Sequence, residues 1–371
     1  MVRIQPHRTV VLVPCGTGAD EDHVADRPQV QVHGAVRLTA EVARPVVRPG
    51  GRPVDRGDEV HPHPRAVGVG VGVQAVSEVA IHVRKPDIVI AMASSVTDLL
   101  RTTGPVDLAA IDARSTPGFD DDKDAALAAT AQLEPELADL QERLFAGGRA
   151  GTTERRVLLL LQGMDTAGKG GTLRKVAGLM DPQGLTVTAF KKPTDEELQH
   201  DFLWRIGPRL PQPGMVGVFD RSHYEDVLIG RVRQLADDVE IERRYGAINE
   251  FEQQFVDSGG VIVKCFLHVD AETQAERLAE RLEDPTKHWK YNPGDLDERA
   301  LWAEYQQAYE IALERCSTDA APWHVVPAGR KWYRNWAVGV MLLDALRGLD
   351  LQWPPADFDV AAEQARLAAS R

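Results

Sequence analysis

Aromatic residues are missing from the first quarter of this chain. Residues 1–91 contain no Phe, Trp or Tyr, 2 Leu and a single Lys, so all 22 aromatics of the 371 residues lie beyond them. A stretch with so little large apolar surface has little to set against chain entropy. What it does contain is 21 Val, 10 Arg, 9 of the 23 Pro and 6 of the 11 His. Runs such as Val67-Gly-Val-Gly-Val-Gly-Val73 and His61-Pro-His-Pro64 carry no helical period, and Pro recurs too often for a good sheet. Three readings compete: a disordered extension, a secretory signal, or residues upstream of the natural start. The signal reading is rejected, because the apolar run Thr9–Val13 is short and Pro14 interrupts it. Composition turns ordinary at Met92-Ala-Ser-Ser. The expectation is a non-globular extension over 1–91, disordered or a mis-assigned start with Met92 as the true one, that carries no chemistry.

Other shortages narrow the class. Cys15, Cys265 and Cys316 are too few and too far apart for a disulfide framework or a metal-site spacing, which suits a reducing cytoplasm. No apolar run approaches the ~20 residues of a membrane helix. The net charge is −13, and residues 1–91 sum to about +1, leaving about −14 for the rest. That balance argues against nucleic acid or an anionic membrane as a general partner. No internal repeat is present.

From Met92 onward the pattern alternates between strand and helix. Leu133, Leu137, Leu140 and Leu144 recur at helical spacing within 121–147, where Pro135 is expected to bend or divide the helix and Gly147-Gly148 to stop it. Strands are predicted at 156–161, 185–190, 215–219, 261–269 and 324–326, the first an unbroken apolar run suited to burial on both faces. Helices are predicted at 172–179, 195–206, 239–257, 271–282, 297–316 and 332–349. Such alternation implies an α/β fold, a mostly parallel sheet with helices on both faces. The expected organisation is a helical segment at 92–155 packing on the core, a main domain at 156–350 with a helical lid at about 281–299, and a C-terminal tail at 351–371.

Directly after the first strand comes Gly163-Met-Asp-Thr-Ala-Gly168-Lys169-Gly170-Gly171-Thr172. This is G-x-x-x-x-G-K between a strand and a helix, the context in which backbone N–H groups converge on phosphate oxygens. Lys169 would neutralise charge on a transferring phosphoryl group. A Gly-rich turn with a surface lysine is the weaker alternative. Gly170 stands where the common loop has Ser or Thr for Mg²⁺, so the metal needs another ligand. Asp165 is the candidate, against the plainer role of stabilising a turn. The third strand ends in Val218-Phe-Asp220-Arg221-Ser222, which puts a carboxylate at the ligand-binding edge of the sheet. Asp220 would hold Mg²⁺ or orient the acceptor and Arg221 would hold phosphate; a simple turn-capping pair is the alternative.

Cations gather near that edge. Lys191 and Lys192 follow the second strand, and Arg205 flanks Gly207-Pro208. Arg277, Arg281, Lys287 and Lys290 lie in or beside 281–294, where Pro, Gly and aromatics suit a movable lid. In so acidic a chain, cations at one edge would focus a polyanion.

Taken together, Gly163–Gly171, Phe219-Asp-Arg-Ser-His-Tyr-Glu-Asp-Val227 and Asp284-Pro-Thr-Lys-His-Trp-Lys290 make the stretch from about Ala109 to Leu349 resemble the polyphosphate kinase 2 family. The resemblance implies a P-loop kinase-like fold and reversible, Mg²⁺-dependent phosphoryl transfer between inorganic polyphosphate and nucleoside mono- or diphosphates. It implies functional roles for Asp165, Lys169, Asp220, Arg221, Lys287 and Lys290, with Mg²⁺ at Asp165 and Asp220, and a homo-oligomer. The glycine at 170 is familiar in that family. His200-Asp-Phe-Leu-Trp-Arg205 and Asp181-Pro-Gln-Gly184 are similar to the subgroup that accepts both mono- and diphosphates. An ATP-dependent nucleotide or small-molecule kinase is the nearest alternative; a nucleotide-binding regulator without activity is the other.

Several tempting residues have plainer explanations. His223, His268, His288 and His324 lack metal-ligand spacing and are expected to be structural. Cys265 is expected in the core, and Trp332–Trp336 is expected to pack on the sheet. Trp289 and Tyr291 could contact a nucleobase.

Overall fold

Five short strands, most of them apolar runs, form one parallel sheet. The computed structural model describes residues 95–371; the expectations for residues 1–91 and for a start at Met92 lie outside them. In chain order the elements are α1 (Val96–Leu100), α2 (Lys123–Arg149), β1 (Arg156–Gln162), α3 (Lys169–Val176), β2 (Leu185–Ala189), β3 (Val216–Asp220), α4 (Glu225–Val232) and α5 (Asp238–Asp257). They continue with β4 (Gly260–His268), α6 (Ala271–Glu283), α7 (Gly294–Arg299), α8 (Trp302–Arg315), β5 (Trp323–Pro327), α9 (Lys331–Arg347) and α10 (Val360–Ala369). The strand order is β2-β3-β1-β4-β5 and every pair is parallel. Among the described residues no helix is long and apolar enough to cross a membrane.

This order places the site. The chain leaves central β1 for β2 and β3 on one side, then crosses to β4 and β5 on the other, so a crevice opens beyond the carboxyl end of β1. Val157–Leu161 are all buried. Burial on both faces is what an unbroken aliphatic run can do, and it contributes on the order of 10 kcal/mol gross for five such side chains. Leu161 lies opposite Asp220, so β1 and β3 end side by side at the crevice.

The helices depart from expectation in instructive places. Pro135 does not divide α2, which runs unbroken with Leu137, Gln141, Leu144 and Gly147 buried; packing carries the helix past one missing N–H. The close approach of α2 to α9 shows at Gly339, where a Cβ would stand 2.8 Å from Leu133 Cδ1. No α-helix forms over 195–206, only a 3₁₀ turn at Glu197–Gln199. There Thr194 and Glu197 cap each other (Thr194 N to Glu197 Oε2 2.9 Å, Glu197 N to Thr194 Oγ1 3.2 Å), and Asp201 takes the Leu203 N–H at 3.0 Å. Local side-chain bonds of this kind compete with the helix ladder. The helix predicted at 297–316 is two, α7 and α8, and both α4 and α10 are additions to the reading.

Candidate active site

The loop between β1 and α3 has a backbone only certain residues permit. Gly163 has φ 152°, and a Cβ there would stand 2.7 Å from Leu267 O. Thr166, a β-branched residue, is held at φ 66°, in the left-handed region that such side chains avoid. Its carbonyl accepts from Arg277 Nη1 at 2.9 Å, and Asp165 O accepts from Gln274 Nε2 at 3.2 Å, so α6 holds the loop in its strained form. Gly168, at φ 106°, caps α3. The N-terminal end of α3 therefore opens at the crevice, with its unpaired N–H groups and positive dipole end.

Lys169 lies folded over the loop, its Nζ donating to Gly163 O at 2.7 Å. Burial pushes this ammonium below its ordinary pKa, with Asp165 opposing the shift. Across the crevice, Arg221 sits at φ 65°, a second strained residue immediately after Asp220. Its N–H donates to Leu161 O at 3.1 Å and its Nη2 to Asp165 Oδ1 at 3.0 Å. Burial works against the Arg221 charge, but Glu225 and Asp165 outweigh it and the pKa is raised. Asp220 borders the same space. Behind the strained turn lies a buried network. Glu252 Oε1 accepts from Tyr224 OH at 2.9 Å and lies 3.2 Å from His223 Nε2, while Lys264 Nζ donates to Glu252 Oε2 at 2.5 Å.

The crevice is a cleft of about 680 Å³, closed on one side by residues 281–290. Ten Lys and Arg side chains border it against three carboxylates, Asp165, Asp220 and Glu280. Of the residues singled out in the sequence, Asp165, Gly168, Lys169, Gly170, Gly171, Lys191, Asp220, Arg221, Arg277, Arg281, Lys287 and Lys290 meet there. Four do not border it. Gly163 sits behind the loop against Leu267, and Thr172 is wholly buried. Lys192 is exposed to one side. Arg205 is buried over the Phe190 ring and bonds Glu197 at 3.1 Å and Lys191 O at 2.9 Å, so it steadies the lysine that does face the cleft. Arg277 borders the cleft but donates to backbone carbonyls. Arg281 ties the segment 281–295 together through Lys290 O (3.0 Å) and Asp295 Oδ2 (3.1 Å).

Sequence reading missed Arg174, Lys331 and Arg334. Arg174 is one α-helical turn and a little beyond Lys169 and could have been found by spacing. Arg334 sits within a run read as packing, and nothing local distinguishes it. The four histidines each have one polar partner: His223 with Glu252, His268 with Ile111 O, His288 with Leu282 O, and His324 with Lys264 O. Among the described residues no group of three or more His, Cys, Asp or Glu could hold a metal ion.

A second pocket of about 220 Å³ shares Asp165 and Arg221 with the cleft but is acidic and aromatic, lined by Glu225, Asp295, Glu298, Tyr305 and Tyr309. Burial, with Asp165 adding, raises the Asp295 pKa. The Asp165–Arg221 pair thus divides two spaces of opposite charge.

Comparison with known proteins decides the family. The polyphosphate kinase 2 family model matches residues 120–353. This chain belongs to the polyphosphate kinase 2 family. The match takes in every residue bordering the cleft. The AMP/ADP-polyphosphate phosphotransferase of Meiothermus ruber is 45% identical over 251 residues, 68% of this chain and 92% of that protein. The ADP-polyphosphate phosphotransferase of Rhodopseudomonas palustris is 39% identical over 232 residues, 59% of this chain and 78% of that protein. The crystal structure of polyphosphate kinase 2 from Arthrobacter aurescens TC1 has 55% identity and a TM-score of 0.73, covering 76% of this chain and 99% of that one. Family membership and the parallel five-stranded sheet agree on a P-loop kinase-like α/β fold.

Proposed function

We propose that this protein transfers phosphoryl groups reversibly between inorganic polyphosphate and nucleoside mono- or diphosphates. The observation that carries the reading is the charge of the cleft: ten cations against three carboxylates, around a phosphate-binding loop, in a chain of net charge −13. A ligand of one or two charges has no need of such a surplus; a chain of phosphates does. The names of the relatives, which act on AMP or ADP, support the nucleotide half.

The residues divide the work by position. Amides at the start of α3, with Lys169, hold phosphate oxygens, and Lys191, Lys287 and Lys290 hold the chain further out. Arg221 faces charge that builds on the transferring group. Phosphoryl transfer needs positioning and neutralisation rather than a protein nucleophile, and the lid excludes water that would compete with the nucleotide. Asp165 and Asp220 fit Mg²⁺. Both carboxylates border the cleft beside the loop, and Asp165 accepts a single bond, from Arg221, which leaves oxygens free for a hard cation. Bound there, Mg²⁺ would neutralise phosphate oxygens that otherwise repel one another. In this reading residues 156–350 are the transfer domain with its lid at about 281–299, 92–155 pack on it and 351–371 follow as a tail. The protein works in the cytoplasm as a homo-oligomer.

The test supplies Mg²⁺ and long-chain polyphosphate with AMP, ADP and GDP in separate reactions and separates the products by anion-exchange chromatography. ADP from AMP, or a triphosphate from a diphosphate, is expected. Turnover with ATP as donor but none with polyphosphate would point to an ordinary nucleotide kinase instead.

A further inference from the structure

Beneath the phosphate-binding loop lie two arginines whose every hydrogen bond goes to a neutral oxygen. Arg334, in the first turns of α9, is 3% exposed and Arg277, on α6, is 7% exposed. Arg334 donates from Nη1 to Ala167 O at 3.0 Å, and from Nε and Nη2 to Asn335 Oδ1 at 3.2 and 2.9 Å. Arg277 donates from Nη1 to the carbonyls of Thr166 and Ala167, and from Nη2 to those of Ala328 and Gly329. Arg277 has Glu280, Glu276 and Asp270 near enough to favour its charge, whereas Arg334 feels only burial and Arg277; a buried cation without a counter-charge is among the costliest groups a fold can hold. Both line the cleft.

The glycines of the loop show how closely Arg334 approaches. A Cβ at Gly168 would stand 1.7 Å from Arg334 Nη1, and one at Gly171 would stand 3.1 Å from Nη2. A Cβ at Gly170, by contrast, would meet nothing within 4 Å. The run Gly168-Lys-Gly-Gly171 therefore serves two purposes. Gly168 and Gly171 admit the guanidinium against the loop and the first turn of α3, where all of them border the cleft, while Gly170 leaves open space beside them.

We propose that Arg334, with Arg277 beside it, is a phosphate-binding residue whose counter-ion is the phosphate chain seated on the loop. The fold leaves the cation unpaired, and the bound polyanion completes the pair. This rests on the reading of the cleft as the polyphosphate site. Burial and the neighbouring Arg277 lower the Arg334 pKa to about 9, which is the direction expected of a cation awaiting an anion.

The experiment compares the full chain with Arg334→Met and Arg334→Lys. It measures melting temperature with and without sodium tripolyphosphate and Mg²⁺, and KM for polyphosphate and for ADP separately. Arg334→Met is expected to melt at or above the parent temperature without ligand, because an unpaired buried charge has gone. Its stabilisation by tripolyphosphate should be at least halved and its KM for polyphosphate raised about tenfold or more, with KM for ADP unchanged. Arg334→Lys should restore most of the polyphosphate affinity. A lower unliganded melting temperature, with the tripolyphosphate shift and polyphosphate KM of the parent, would make Arg334 a structural brace and overturn the proposal. If Arg334→Met does not fold, Arg334→Gln carries the test: a polyphosphate KM raised about tenfold with the ADP KM unchanged supports the proposal, and unchanged constants overturn it. A parent that is neither stabilised by tripolyphosphate nor active with polyphosphate brings down the reading of the cleft, and this inference with it.

Discussion

On the proposed function, Asp220 and Asp165 are the residues on which the chemistry depends most. Each is a carboxylate in a cleft dominated by cations, an arrangement that serves a metal better than it serves the fold. Asp220→Asn is expected to leave the melting temperature within a few degrees of the parent and to lower kcat by about 100-fold or more; activity within about threefold of the parent would remove Asp220 from the mechanism. Lys169 gives a pH test. Its pKa is lowered by burial, so in the free enzyme it loses its proton at a lower pH than an ordinary lysine. KM for polyphosphate should therefore rise as pH climbs toward the ordinary lysine range. Over the same window the unfolded chain still holds that proton, so the contribution of Lys169 to the stability of the unliganded fold grows rather than falls. A KM that rises only together with loss of folded protein would contradict this assignment. At this scale the loop and the Asp220-Arg221 pair were legible, because their chemistry lies in contiguous residues. Arg334 was not. Its contact with the loop comes from α9 packing against Ala167 and Gly168, far away in the chain, and a single Arg in an aromatic run carries no sign of that. Arg205 and Arg277 were legible as cations, but the carbonyls that occupy them belong to distant parts of the chain.

Among the elements, β1 was the easiest to read, since five consecutive aliphatic residues ahead of a glycine-rich loop suit a strand buried on both faces. Over 195–206 the Thr194–Glu197 and Asp201 caps close each turn early, so the expected α-helix does not form. Helix α4 escaped notice as it follows directly on the Asp220 turn. That turn is held from behind by a buried ion pair joining β4 to α5, Lys264 to Glu252. Burial tends to raise the Glu252 pKa, yet Lys264 and His223 outweigh it and the carboxyl stays below its ordinary value. Removing one partner leaves the other charge buried alone. Lys264→Met is thus expected to cost about 3–5 kcal/mol of unfolding free energy in urea titration; a loss below about 1 kcal/mol would show that the pair is not what fixes these elements together.

For the molecule as a whole, charge is sorted rather than merely abundant. The chain is acidic, the cleft is cationic, and the smaller pocket across the Asp165–Arg221 pair is acidic again. Composition alone argues against nucleic acid as a general partner, but only the fold shows that cations from α3, α6, residues 281–290 and α9 converge on one loop. On the proposed function this cleft takes polyphosphate and passes its end unit to a nucleotide. Phosphorus NMR of the purified full-length protein with Mg²⁺, polyphosphate and ADP tests it most directly. The prediction is loss of polyphosphate signal matched, phosphorus for phosphorus, by growth of the γ-phosphate of ATP. Polyphosphate and ADP resonances that stay unchanged, with AMP in place of ADP as well, would contradict it.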